Sequence, residues 1–115
     1  MTIKEVSEKF DISQDTLRYY ERVGMIPPVN RTAGGIRDYN ENDLNWVKFA
    51  KCMRSAGLQV EAIVEYLKLY REGDTTVQAR IELLKEQRER LMEQKNEIDT
   101  ALEKINNKIS LYEKI

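Results

Sequence analysis

Ser13-Gln14-Asp15-Thr16-Leu17-Arg18-Tyr19-Tyr20-Glu21-Arg22-Val23-Gly24 reads as one short helix with a stop at each end. Ser13 suits an N-cap, where a hydroxyl accepts from a first-turn amide, and Gly24 suits the left-handed residue that closes a helix. At helical spacing Leu17, Tyr20 and Val23 face inward, which leaves Gln14, Asp15, Arg18, Tyr19 and Arg22 on or near the outward face. Upstream, Thr2 and Glu5 have the spacing of a capping box, and Ile3, Val6 and Phe10 share one helical face. Asp11-Ile12 supplies the turn between the two helices. The N-terminus is therefore a helix-turn-helix candidate.

Downstream, Pro27-Pro28 stop the second helix and force extended geometry. Gly34-Gly35 then lies between Val29-Asn30-Arg31 and Ile36-Arg37-Asp38-Tyr39, which predicts a small β-hairpin placed as a wing. Asn40 caps a third helix with Asp43 in its first turn and Leu44, Val47, Ala50 and Met53 as its apolar side, ended by Gly57. A fourth helix, about Val60 to Arg71, presents Ile63, Tyr66, Leu67 and Tyr70 at three- and four-residue spacings. Residues 1–73 can enclose one small core.

After Gly73 the chain runs 42 residues without Gly or Pro, and Thr75 with Gln78 repeats the capping-box spacing. One seam position of an unbroken heptad holds Val77, Leu84, Leu91, Ile98, Ile105 and Tyr112; the other holds Ile81, Arg88, Lys95, Leu102 and Ile109. Residues 74–115 thus read as a coiled-coil helix roughly 55 Å long. A core of seventy residues cannot cover it, so it needs a partner, most economically its own copy in a homodimer. Arg88 and Lys95 weaken the seam but disfavour wrong registers.

Composition narrows the chemistry. Of 115 residues 34% are charged, with 19 Lys+Arg against 20 Asp+Glu and a net charge of −1. No run approaches the roughly 18 apolar residues that span a membrane, and Glu5 interrupts any signal peptide, so a cytoplasmic protein without a membrane partner is expected. The chain has no histidine and one cysteine, Cys52, which excludes an intrachain disulfide, a Cys/His zinc site and a Cys-His dyad. With no imidazole base and no phosphate-cradling glycine loop, neither an enzyme nor a resident metal or cofactor is expected.

The near-zero charge hides a local asymmetry. Between residues 14 and 39 stand four arginines, Arg18, Arg22, Arg31 and Arg37, and no lysine. Guanidinium groups bond guanine edges or clamp phosphates, and a tyrosine hydroxyl can bond phosphate. Arg31 and Arg37 flank the wing tip, which an adaptor that binds only protein through its coiled coil does not require. The bland alternative pairs Arg18 and Arg22 with Asp15 and Glu21 in a surface network.

Thr16-Leu17-Arg18-Tyr19-Tyr20-Glu21, Gly24-Met25-Ile26, Pro28, Arg31, Gly35, Arg37 and Tyr39 resemble the signature of the MerR family of bacterial transcription regulators. Asp43-Leu44, Arg54, Gly57-Leu58 and Ile63 continue the likeness over residues 2–70, with Met25 where leucine is commoner. The resemblance implies a mostly α fold: an N-terminal winged helix-turn-helix with a small β-hairpin wing, then a long C-terminal helix that pairs antiparallel in a dimer. It implies that Thr16, Arg18, Tyr19, Tyr20, Arg31, Arg37 and Tyr39 carry contacts to promoter DNA, with Tyr20 divided between packing and a phosphate. It also implies that the homodimer bends and untwists an overlong promoter spacer so that RNA polymerase can use it, a distortion read as deformation energy.

In that family an effector domain usually follows the long helix, and metal sensors carry cysteines at its end. The sequence stops at Ile115 and has no such cysteines, so neither a drug-binding domain nor a metal sensor is expected. Lys51-Cys52-Met53-Arg54-Ser55-Ala56-Gly57-Leu58 resembles a branch that answers aldehydes, other thiol-reactive electrophiles or nitrosative stress through a lone cysteine. Lys48, Lys51 and Arg54 lie within a turn of Cys52, at the edge of the expected core, and would favour a thiolate. The competing reading is an inert, half-buried side chain.

Overall fold

The computed structural model describes residues 1–115, Met1 to Ile115. Its elements are α1 (Ile3–Phe10), α2 (Gln14–Val23), α3 (Glu41–Ser55), α4 (Val60–Glu72), a 3-10 turn (Asp74–Thr76) and α5 (Val77–Glu113). The chain divides into two compact units, Met1–Ile81 and Glu82–Ile115.

Local chemistry sets the helix starts in the first unit. Thr2 and Glu5 form the capping box of α1, Ser13 accepts from the Thr16 amide at the head of α2, and Asn40 with Asp43 closes a second box on α3. Asp11 and Gly24 end α1 and α2 at φ 53° and 89°, the left-handed region where an unbranched polar residue or glycine sits most easily. α1 packs on α2 and α3 on α4. Their inner faces supply the core: Val6, Leu17, Tyr20, Val47, Ala50, Ile63 and Leu67, with Met25 and Ile26 from the connection after α2.

Three expectations need correction. The wing is not a stranded hairpin but a tight loop with one antiparallel bridge, Arg31 to Arg37. The Thr32 amide donates to the Ile36 carbonyl at 2.7 Å and the Asp38 amide to the Asn30 carbonyl at 2.7 Å. In this register the next residues to exchange hydrogen bonds would be Pro28 and Asn40, and pairing stops there because Pro28 has no amide hydrogen and the Asn40 amide donates to Asp43.

On α3 the buried positions are Asp43, Val47 and Ala50, with Leu44 and Met53 only half-buried. Asp43 tolerates burial because its carboxylate accepts from the Asn40 amide at 3.0 Å. Before α5, the side-chain bonds come from Thr76 rather than Thr75: its hydroxyl donates to the Leu69 carbonyl at 2.5 Å and the Gly73 carbonyl at 2.8 Å.

In α5 the seam side chains stay in solvent in the single chain, from 38% exposed at Ile81 to 71% at Tyr112 among those left open. Leu91 alone of the apolar seam residues is half-buried. No helix is long and apolar enough to cross a membrane.

Candidate nucleic-acid interface

α2 buries Leu17 and Tyr20 and so turns its other side outward. Thr16 receives the Ser13 hydroxyl at 2.8 Å. Arg18 donates to Asp15 at 2.9 Å and to Gln14 at 3.4 Å, while the Arg22 guanidinium lies 5.4 Å from the exposed Tyr19 ring. The Arg18 pair is thus the surface contact foreseen as the bland alternative. An exposed pair of this kind is worth about 0–1 kcal/mol, so Arg18 can exchange Asp15 for a phosphate at small cost.

Glu21 does not pair with Arg22. Its carboxylate accepts from Arg37 Nε at 2.8 Å and from the Val29 amide at 2.9 Å, with both side chains of the ion pair largely shielded. Burial raises the Glu21 pKa, but the bonds from Arg37 and Val29 and the charges of Arg37 and Arg31 outweigh it. The carboxyl is held below its ordinary value. One side chain of α2 therefore ties both sides of the wing segment. Arg31 bonds the Gly35 carbonyl at 3.0 Å and stays exposed, so it is free to reach outward.

Tyr39, expected among the DNA contacts, lies in the core at 2% exposure, and its hydroxyl has no hydrogen-bond partner. Burial raises its pKa, as it does that of Tyr20. In this conformation both rings pack. Thr16, Arg18 and Tyr19 share α2 and Arg31 is exposed on the wing loop, whereas Arg37 is spent on Glu21.

Two residues absent from the sequence expectation join this surface. A cleft of about 660 Å³ beside the start of α2 is lined by Ser13, Thr16, Tyr19, Tyr20, Lys51 and Arg54. Lys51 donates to the Phe10 carbonyl, and Arg54 to the Leu58 carbonyl at 2.7 Å. Their helix lies some thirty residues downstream, and only tertiary packing shows that they face α2. Cys52 between them is exposed rather than at the core edge, and two of the three cations expected to surround it are engaged by carbonyls. No group of three or more His, Cys, Asp or Glu side chains is placed to hold a metal ion.

The profile described as "MerR HTH family regulatory protein" matches residues 1–70, and "MerR, DNA binding" matches residues 44–107. The chain belongs to the MerR family. It is a DNA-binding transcriptional regulator of mostly helical build. It is 55% identical over 93 residues to the HTH-type transcriptional regulator AdhR of Bacillus subtilis (strain 168), a match that covers 81% of this chain and 66% of AdhR. A MerR family transcriptional regulator from Listeria monocytogenes superposes with a TM-score of 0.95 at 47% identity, over 98% of this chain and 86% of that one. HiNmlR, described as a MerR family regulator lacking the sensor domain and bound to promoter DNA, superposes at 0.88 with 29% identity, over 98% and 90%.

Proposed function

We propose that this regulator binds promoter DNA as a homodimer and distorts the spacer between promoter elements so that RNA polymerase can use them. In this reading residues 1–73 bind DNA and residues 74–115 dimerise through an antiparallel coiled coil. Thr16, Arg18 and Tyr19 address the groove and its phosphates, and Arg31 reaches from the wing, a bridged loop that acts in place of a stranded hairpin. Lys51 and Arg54 add charge along the backbone path, and Tyr20 and Arg37 hold the surface in shape. The observation that carries the reading is the Glu21 carboxylate bonded to Arg37 and to the Val29 amide, which sets the wing in register with the recognition helix. A groove-reading surface needs that rigidity.

The regulator acts in the cytoplasm and answers thiol-reactive electrophiles through Cys52, whose exposure gives such a reagent access. Alkylation or nitrosation there sits one residue from Lys51 and two from Arg54, both of which line the cleft beside α2.

Gel shifts on the DNA upstream of the protein's own gene, at two salt concentrations, test the DNA reading. Affinity is expected to fall steeply with salt, and Arg18→Ala to bind more weakly with a shallower dependence. No binding at low salt would overturn it in favour of a coiled-coil adaptor. For the sensing step, Cys52→Ser is expected to abolish aldehyde-induced transcription from the target promoter; an unchanged response removes Cys52 from the mechanism.

A further inference from the structure

The outward side of α2 carries Asp15, Arg18, Tyr19 and Arg22 at three- and four-residue spacings. Its two arginines are held in different ways. The Arg22 guanidinium lies 5.4 Å from the Tyr19 ring, a contact with the ring face that occupies none of its N–H donors. Arg18 is held through its donors: Nη1 bonds the Asp15 carboxylate at 2.9 Å and Nη2 the Gln14 side-chain oxygen at 3.4 Å. Of the two acids on α2, Glu21 is shielded and tied to the wing, whereas the Asp15 side chain is 95% exposed.

An exposed carboxylate on a surface that meets DNA opposes binding, because a phosphate brought to Arg18 is brought to Asp15 as well. The exposed ion pair itself adds little to the fold. A base edge is a different ligand. It carries no net charge, so Asp15 does not repel it as it repels a phosphate. The guanidinium keeps about three of its five N–H donors free, enough for the two parallel bonds to a guanine edge. A carboxylate can also accept from the amino group of a neighbouring cytosine.

We propose that Asp15 is a specificity-determining residue: it holds Arg18 ready for the edge of a base, and its charge penalises the use of Arg18 on phosphates away from the site. Arg22, which no carboxylate holds, serves affinity for DNA of any sequence. The inference rests on the DNA-binding reading above and separates, within one helix, the cation that selects sequence from the cation that only attracts.

The affinities of the full-length protein for its promoter duplex and for a scrambled duplex of equal length and base composition test this. They are measured in the wild type, Asp15→Asn, Arg18→Ala, the double variant and Arg22→Ala. Asp15→Asn is expected to bind the scrambled duplex about tenfold more tightly, the worth of one exposed pair in each of two copies. Its promoter affinity should change far less, so the ratio of the two affinities falls. With Arg18→Ala already in place, Asp15→Asn is expected to leave that ratio where it stands, and Arg22→Ala to weaken both duplexes by one factor. An Asp15→Asn protein whose two affinities shift by the same factor overturns the assignment, as does a ratio that falls equally without Arg18. A wild type that binds both duplexes equally overturns the inference and leaves DNA binding standing; one that binds neither at low salt overturns both.

Discussion

The two units of this chain solve the problem of apolar surface in opposite ways. In Met1–Ile81 the apolar positions close on one another, and two acidic side chains that turn inward find partners, Asp43 in Asn40 and Glu21 in Val29 and Arg37, although the Tyr39 hydroxyl has none. In Glu82–Ile115 the apolar positions are as regular, yet Ile98, Leu102, Ile105 and Ile109 stand about half-exposed. Periodicity tells where an apolar stripe runs, and only the surroundings tell whether it is satisfied. The first unit closes its apolar surface on itself, and the second leaves it open.

Substitutions that exchange the two behaviours break this contrast most visibly. Leu17→Ala, at a fully buried position of α2, is expected to cost about 3 kcal/mol. Leu102→Ala on α5 removes the same atoms from a half-exposed position and is expected to act through association alone. Urea unfolding at several protein concentrations separates them: the Leu17→Ala loss persists at high concentration, while the Leu102→Ala loss shows as a concentration-dependent midpoint.

A smaller effect is expected at the helix–wing tie. Glu21→Gln removes the charge opposite the shielded Arg37 and is expected to cost roughly 1–3 kcal/mol in stability. Its promoter affinity should fall although no residue that addresses DNA has changed. Unaltered affinity would show that the wing needs no fixed register.

The same tie gives a pH dependence. The folded Glu21 pKa lies below the model-peptide value of 4.5, so its stabilisation is present above that value and is lost as pH falls through the lower, folded one. The Val29 amide, which donates to this carboxylate, reports it directly by NMR. A shift with a midpoint below 4.5 is expected; a midpoint at or above it would mean that the tie is not formed in solution.

The smallest change is expected from Ser13→Ala, about 1 kcal/mol from the lost α2 cap. Thermal unfolding measures it, and a loss above that range would show that Ser13 does more than cap.

What could be read from sequence follows the range of the interactions. Caps at Thr2, Ser13 and Asn40 act within three residues, so residue type and spacing sufficed, and the absence of Gly and Pro beyond Gly73 announced α5. The wing forms a single bridge rather than strands because a Gly-Gly pair indicates a turn but not how far pairing extends, which Pro28 and the capped Asn40 limit. Tyr39 was expected at the DNA only by likeness to a family signature, and such a likeness does not show that packing encloses the ring. Lys51 and Arg54 could not be placed beside α2 without the tertiary fold, and Glu21 looked like one more surface acid because Arg37 is sixteen residues away.

The central claim is that the self-contained first unit addresses promoter DNA only as one of two copies held by the open seam of the second. Sedimentation equilibrium of the full-length protein on a duplex carrying its promoter tests this most directly. Two chains per duplex are expected, with Ile98→Asp abolishing the complex. One chain per duplex, or an Ile98→Asp protein that binds as tightly as the wild type, would contradict the account.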